Sequence, residues 1–150
     1  MFQINLPEFN TNIKQIDGRT QIFDILRRRY VTLTPEEWVR QHFIHFLIEH
    51  KGFPASLLAN EVSLTVGSQW RRCDSVLYYK DLRPRIIIEY KAPTVAVTQK
   101  VFEQISTYNT VLHVPYLIVS NGLVHFCCKL DYVQKKITFL NSIPAFDELQ

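Results

Sequence analysis

A short run of isoleucines, Ile86 to Ile88, constrains the fold more than any other part of the chain. β-branched residues favour extended backbone, and a strand that is apolar at successive positions is buried on both faces. The run therefore predicts a central strand in a sheet that other elements cover on both sides. Charged residues follow it directly, in Glu89-Tyr90-Lys91, and charges at the end of a buried strand are costly unless they have a purpose.

Helices and further strands are predicted around this central strand. Thr34 can cap a helix that begins at Pro35, and Glu37 stands where a capping box needs an acid. Gly52 ends this helix. The helices are predicted over 34–50 and 98–109, an opening hairpin over 13–25, and strands over 61–66, 70–79, 85–91, 115–120, 123–129 and 132–140. This order favours the α/β (α+β) class, with a mixed sheet flanked by helices.

Length and composition favour a single intracellular domain. The chain has 150 residues, 47% of them hydrophobic and 21% charged, with a net charge of +3, which is typical of one globular domain. A mildly basic chain allows a nucleic-acid partner without requiring one, and the basic runs at 27–29 and 71–72 are each typical of a solvated face. The sequence has no glycine-rich phosphate loop, signal peptide or apolar run of membrane-spanning length, so we expect no membrane and a cytoplasmic location.

The predicted loop over 80–83 sets the register between the strands on either side of it. With that loop, Asp74 lies opposite Glu89. Directly opposed residues point to the same face with Cβ atoms about 4.5–5.5 Å apart, and residues two apart on one strand also share a face. We therefore expect Lys91, and Arg72 opposite it, to join the two acids. A slip of one residue would move Asp74 to the other face.

Two carboxylates on one half-buried face repel each other, and a divalent cation resolves that repulsion. Between Asp74 and Glu89, such a cation would lower the pKa of a bound water and polarise a phosphoryl oxygen. Lys91 would stabilise the negative charge that develops. The set therefore favours a site that cleaves phosphodiesters. The structural alternative is an ordinary cross-strand ion cluster in which Lys91 neutralises both acids.

Asp74 and Glu89-Tyr90-Lys91 resemble the D…ExK motif of the PD-(D/E)XK nuclease superfamily. The surrounding sequence resembles one branch more closely, the N-terminal nuclease domain of type I restriction enzyme R subunits. The matching segments are Ile22–Gln41, the strand at Glu61, Arg71–Tyr79, Ile86–Pro93, Gln104–Tyr108 and Pro115–Gly122. The resemblance implies a single restriction-endonuclease-like domain over residues 1–150. Its core would cover about 20–130, with the opening hairpin and the last strand as additions.

The resemblance also implies a Mg²⁺ site in which Mn²⁺ can substitute. Asp74, Glu89 and the backbone carbonyl of Tyr90 would be ligands, and Lys91 would be the catalytic lysine. Glu37 matches the acidic residue of the first helix that helps to hold metal in many members. The alternative for Glu37 is that it completes the capping box of its helix.

A second element of the resemblance lies on the helix after the central strand. Gln104 and Tyr108 match the QxxxY element, which approaches the site and the DNA, and their spacing of four places them on one helix face. In a structural interpretation, Tyr108 is a core aromatic and Gln104 a solvated neighbour. Glu61 is a further site candidate, whose alternative is an exposed strand residue.

The implied function is a Mg²⁺-dependent endonuclease that hydrolyses DNA, with Arg71, Arg72 and Lys100 contacting phosphates. Type I R subunits continue into an ATP-driven translocase, whereas this chain stops at Gln150. The interpretations left open are a free-standing relative, a subunit that works with separate proteins, and an excised fragment. The expected partners are DNA and, in the second case, separate restriction-modification subunits. A homodimer would supply the two copies that single-site nucleases usually need for a double-strand cut. The alternatives are a non-catalytic nucleic-acid-binding module and a protein-interaction domain with a structural ion cluster.

Overall fold

The computed structural model describes residues 2–110 and 112–150, without the side chains of Val66 and of residues 107–110. The strands are β1 (Ile13–Ile16), β2 (Arg19–Asp24), β3 (Arg29–Thr32), β4 (Leu58–Val66), β5 (Gln69–Tyr78), β6 (Pro84–Tyr90), β7 (Tyr116–Ser120), β8 (His125–Asp131) and β9 (Lys136–Phe139). The helices are α1 (Pro35–Lys51) and α2 (Gln99–Thr110), with short 3₁₀ turns at Ala55–Leu57 and Phe146–Glu148. This order confirms the predicted α+β class.

An antiparallel three-stranded sheet, in the order β1-β2-β3, precedes the first helix. The predicted opening hairpin is confirmed. Asp17 and Gly18 have φ angles of 51° and 74°, the left-handed pair that a two-residue hairpin turn requires. The third strand was not predicted, because the arginines before it suggested a solvated face. Arg27 instead turns inward and pairs with Asp24 and Glu37.

α1 begins and ends where its capping residues predict. The Thr34 hydroxyl accepts a hydrogen bond from the backbone N–H of Glu37 at 3.1 Å, and Pro35 is the first helical residue. Gly52 has a φ of 73° and donates its N–H to the carbonyl oxygen of Leu47. A left-handed residue that reaches back in this way is the common end of an α-helix.

The second sheet has six strands in the order β4-β5-β6-β7-β8-β9. β6 and β7 are parallel, while the other neighbouring strands are antiparallel. Parallel neighbours need a crossover connection, and here the connection contains α2. Neither described helix is both long enough and apolar enough to cross a membrane.

The isoleucines of β6 are buried on both faces, as predicted. Ile86 and Ile88 lie in the apolar cluster beneath α1, and Ile87 lies in a second cluster beneath α2. All three are 0% exposed. The first cluster includes Val39, Phe43 and Leu47 of α1, and the second includes Phe102 and Ile105 of α2. The central strand β6 is therefore covered by α1 on one face of the sheet and by α2 on the other.

The hairpin between β7 and β8 has a four-residue loop instead of the predicted two-residue Asn-Gly turn. Asn121 Oδ1 accepts hydrogen bonds from the backbone N–H groups of Leu123 and Val124, both at 2.9 Å. This Asx turn lengthens the loop, so that β8 begins at His125. The last strand is also shorter than predicted and starts only at Lys136.

The N-terminal segment crosses this loop. The backbone N–H of Asn5 donates to the Gly122 carbonyl at 2.6 Å, and the Asn5 carbonyl lies 3.0 Å from His125 Nε2. Gly122 has a φ of 85°, and a Cβ at this position would lie 2.8 Å from Ile4 Cγ2 and 3.2 Å from Val39 Cγ2. Glycine therefore permits both the backbone conformation and the close approach of the segment.

We expect Gly122→Ala to lower the free energy of unfolding more than Gly18→Ala does. Both positions have a left-handed φ, which costs an alanine roughly 1 kcal/mol. A Cβ at Gly18 would meet nothing within 4 Å, whereas at Gly122 crowding adds about 1 kcal/mol or more. Urea denaturation of the two variants measures the difference. Equal losses would show that the N-terminal segment moves aside without cost.

Candidate metal and nucleic-acid site

The register between β5 and β6 brings the two predicted acids together. Ser75 pairs with Ile88 and Val76 with Ile87, as the predicted register requires, and this register places Asp74 opposite Glu89. The loop is one residue longer than predicted, because the strand is irregular between Leu77 and Tyr78 and Tyr78 pairs with Pro84. The irregularity lies at the far end of the hairpin from the acids.

The carboxyl groups of Asp74 and Glu89 lie side by side. Asp74 Oδ2 accepts a hydrogen bond from the backbone N–H of Tyr90 at 2.8 Å, and Glu89 is only 8% exposed. Burial raises the pKa of Glu89 and the adjacent Asp74 charge raises it further, to about 8 even though Arg71 opposes both effects. Two acids on one buried face are therefore in electrostatic conflict.

Arg71, not Lys91, is the cation paired with these acids. Arg71 Nη2 lies 3.1 Å from Glu89 Oε1. The backbone N–H of Lys91 donates to the Ser120 carbonyl at 2.8 Å. Lys91 is half-buried, and its ammonium forms no ion pair with any described residue. The cross-strand cluster in which Lys91 neutralises both acids is therefore not what the structure contains.

The prediction that Arg72 joins the acids is wrong. Arg72 Nε lies 2.7 Å from Glu61 Oε2, and its side chain is 64% exposed. The alternation of faces changes along β5, since Cys73 and Val76 pack in the same apolar cluster although they are three positions apart. Across the sheet, Glu61 has a left-handed φ of 56°, and this break in β4 accompanies the change of face.

The other two predicted acids are engaged by arginines. Glu37 Oε1 lies 2.7 Å from Arg27 Nη2, and Glu37 Oε2 accepts from Gln41 at 2.9 Å. Glu61 Oε1 accepts from Arg40 at 2.6 Å. Burial would raise the pKa of Glu61, but its hydrogen bonds with arginine outweigh this and lower the pKa.

Within the described ranges, no three His, Cys, Asp or Glu side chains form a group that could hold a metal ion. The site therefore offers two carboxylates, those of Asp74 and Glu89, and the metal role of Glu37 stays a prediction.

The predicted residues of α2 lie along one line of the helix. Lys100 and Gln104 are exposed and four residues apart, so they share a face. Tyr108 continues the same spacing, but its side chain lies outside the described residues. Phe102 and Ile105 are buried in the cluster beneath the helix, so the line of Lys100 and Gln104 is separate from the packed face.

A buried hydrogen-bond network, which was not predicted, links the two acid-bearing strands to the N-terminal sheet. The Tyr90 hydroxyl donates to Ser75 Oγ at 2.9 Å, and Ser75 donates to Asn60 Oδ1 at 2.6 Å. Asn60 Nδ2 then donates to Asp24 Oδ2 at 2.9 Å, and Asp24, which is 0% exposed, also binds Arg27. Burial would raise the pKa of Asp24, but these hydrogen bonds lower it.

The fold and the paired acids define an α+β domain with a two-carboxylate site at the end of its central parallel strand. A solved fragment with a similar fold belongs to a protein assigned as an HsdR subunit of a type I restriction enzyme from Vibrio vulnificus YJ016. Its TM-score is 0.54 at 23% identity, and the match covers 78% of this chain and 24% of that chain. A search among curated proteins found no match.

Sequence comparison identifies the family. The sequence model of the type I restriction enzyme R protein N terminus matches residues 35–144, which is more than half of the chain. The chain therefore belongs to this family, and the predicted resemblance to the R-subunit N terminus is confirmed.

We expect the stability of the metal-free protein to fall as pH rises from about 4.5 to about 8. Glu89 holds its proton in the folded state up to a pKa of about 8, whereas an ordinary glutamate loses it near 4.5. Unfolding therefore releases a proton in this range, which lowers the free energy of unfolding by at most about 1.4 kcal/mol per pH unit. Urea denaturation in the presence of a chelator should show that the free energy of unfolding of Glu89→Gln depends less steeply on pH than that of the wild type. The exposed Glu36→Gln should keep the wild-type slope, and equal slopes in all three proteins would contradict this account.

We expect Asn60→Ala to destabilise the fold by about 2–3 kcal/mol, because it leaves the buried Asp24 and Ser75 groups without their shared partner. Gln15→Ala is the matched control, since Gln15 Nε2 donates to a hydroxyl, Thr20 Oγ1, at 2.7 Å on the exposed N-terminal sheet. That control should change stability by about 0.5 kcal/mol or less. Comparable losses in the two variants, measured by urea denaturation, would show that the network adds nothing beyond a surface hydrogen bond.

Proposed function

We propose that the chain is a Mg²⁺-dependent endonuclease that hydrolyses DNA phosphodiester bonds in the cytoplasm. The observation that carries the proposal is the side-by-side placement of the Asp74 and Glu89 carboxylates at the end of a buried strand, in a member of the R protein N-terminal family. A buried acid whose pKa is raised by burial and by a neighbouring carboxylate, as that of Glu89 is, is typical of functional sites.

The residues present fit a small, hard cation. Mg²⁺ commonly takes one or two carboxylates from a protein and fills its remaining positions with water and phosphate oxygens. Asp74 and Glu89 would hold it, with the backbone carbonyl of Tyr90 as a third ligand and Mn²⁺ as a substitute. Burial and then repulsion from Asp74 raise the pKa of Glu89, and a bound cation would offset both effects.

When bound, the metal would supply a water of lowered pKa and polarise the scissile phosphoryl group. Lys91 follows Glu89 by two residues, and its ammonium has no ion-pair partner among the described residues. It can therefore stabilise the charge on the attacking water or on the phosphoryl oxygens. A lysine already neutralised by both acids would be less able to do so.

DNA would approach along exposed Arg72 and along the exposed face of α2 that carries Lys100 and Gln104. Arg72 is 64% exposed, and Lys100 and Gln104 are exposed on one helix face. Tyr108 would extend that line. Contacts of basic side chains with phosphates do not depend on base sequence and weaken as salt rises.

The chain would act with other restriction-modification subunits. The match spans 24% of the HsdR chain, so a translocating motor would belong to a separate protein or to another segment. A homodimer would bring together two sites for cleavage of both strands.

We expect Asp74→Asn, Glu89→Gln and Lys91→Met each to reduce Mg²⁺-dependent DNA cleavage by about 100-fold or more, because each removes a charge that acts on the reacting phosphate. Plasmid nicking with Mg²⁺ or Mn²⁺ measures the loss, with a chelator as the metal-free reference. Asp81→Asn is the matched control, because Asp81 pairs with Arg83 on the exposed loop at the other end of the hairpin. Undiminished cleavage by all three site variants would refute the proposal.

Two other results would assign a different role. Salt-sensitive DNA binding without cleavage under any divalent cation would indicate a non-catalytic DNA-binding module. Failure to bind nucleic acid, Mg²⁺ or Mn²⁺ would indicate a protein-interaction domain.

A further inference from the structure

We propose that Arg71 is an exchangeable cation of the site. It holds Glu89 while metal and DNA are absent, and it moves to a DNA phosphate when a divalent cation takes the carboxylate. Metal and DNA would then strengthen each other's binding. This inference rests on the proposed metal and DNA site, and it assigns Arg71 a role that depends on which ligand is present.

The first observation is that Arg71 occupies a carboxylate the metal would need. Its Nη2 lies 3.1 Å from Glu89 Oε1, and the Glu89 side chain is 11% exposed. Asp74 lies against the same carboxyl group. In the metal-free protein, one guanidinium therefore stands beside two acids and compensates part of their charge.

The second observation is that Arg71 is less buried than the acid it holds. Its side chain is 25% exposed, against 11% for Glu89. A quarter of the Arg71 side chain is therefore accessible to solvent. Arg72, the next residue, binds Glu61 instead, so Arg71 is the arginine of β5 that lies beside the acids.

Electrostatics makes the two cations competitors. A divalent ion between Asp74 and Glu89 would lie within a few ångströms of the Arg71 guanidinium, and like charges at that distance repel strongly away from bulk water. The planar fork of the guanidinium suits a phosphate in the same way as a carboxylate, so Arg71 can bind a phosphate once metal holds Glu89. DNA supplies that anion.

Thermodynamic linkage turns this exchange into cooperativity. If metal makes Arg71 available to DNA, then DNA must raise the affinity for metal by the same factor. Removing the Arg71 charge should have two opposite effects. Without DNA, the site becomes more negative and therefore binds metal more tightly. The increase in metal affinity that DNA provides becomes smaller.

The test measures Ca²⁺ binding to the whole chain by calorimetry, first without DNA. We expect Arg71→Gln to bind Ca²⁺ on the order of tenfold more tightly than the wild type. Arg71→Lys, which keeps the charge, should stay near the wild-type affinity. Arg83→Gln is the matched control, since it removes the same charge from an arginine–carboxylate pair on the exposed loop, and it should leave Ca²⁺ affinity unchanged. Circular dichroism verifies that each variant is folded.

The second measurement repeats the titration with a short DNA duplex, checked on a gel to be intact. In the wild type and in Arg83→Gln, DNA should tighten Ca²⁺ binding, and this gain should shrink on the order of tenfold in Arg71→Gln. Equal or weaker Ca²⁺ binding by Arg71→Gln would overturn the exchange and leave the proposed nuclease intact. Failure of the wild-type protein to bind Ca²⁺, Mg²⁺ or Mn²⁺ would overturn both.

Discussion

Repulsion between two carboxylates at the end of a buried strand is the constraint on which the site depends. Asp74 and Glu89 are brought together by backbone pairing, which fixes their Cβ positions before any side-chain preference acts. The surrounding structure can relieve the repulsion in three ways: by a proton, by a neighbouring cation or by a metal. The raised pKa of Glu89 and its contact with Arg71 are the first two of these. Under the proposed function, a bound metal would be the third.

On the opposite face of the sheet, a side-chain hydrogen bond joins β5 to β6. Ser75 follows Asp74 and Tyr90 follows Glu89, and their side chains are hydrogen-bonded to each other on the face covered by α1. The bond joins the strands one residue away from each acid. Asn60 extends this bond toward the N-terminal sheet. The acids therefore project from two strands whose relative position is fixed by hydrogen bonds on the opposite face of the sheet. Charged groups that are to bind one ligand need such a rigid support.

Local chemistry made much of the fold predictable from the sequence. Helix caps, the Asp-Gly turn and the apolar run of β6 each depend on a few neighbouring residues. The register beside the acids matches the prediction because the irregularity between Leu77 and Tyr78 offsets the extra residue of the loop. The arginine that reaches Glu89 could not be predicted, because the left-handed Glu61 and the changed alternation at Cys73 leave no sequence signal. The polar network was missed for another reason. Asp24, Asn60 and Ser75 are far apart in the chain, and each alone looks like an ordinary polar residue.

The N-terminal sheet has a consequence for how the polypeptide is divided. The family's sequence model matches from residue 35, yet Asp24 and Arg27 lie before that point and bind Asn60 and Glu37 beyond it. A shortened chain that began at residue 35 would leave the buried Asn60 amide without its carboxylate partner and would remove Arg27 from Glu37. The residues before position 35 therefore belong to the same cooperative folding unit as the segment that the family model matches.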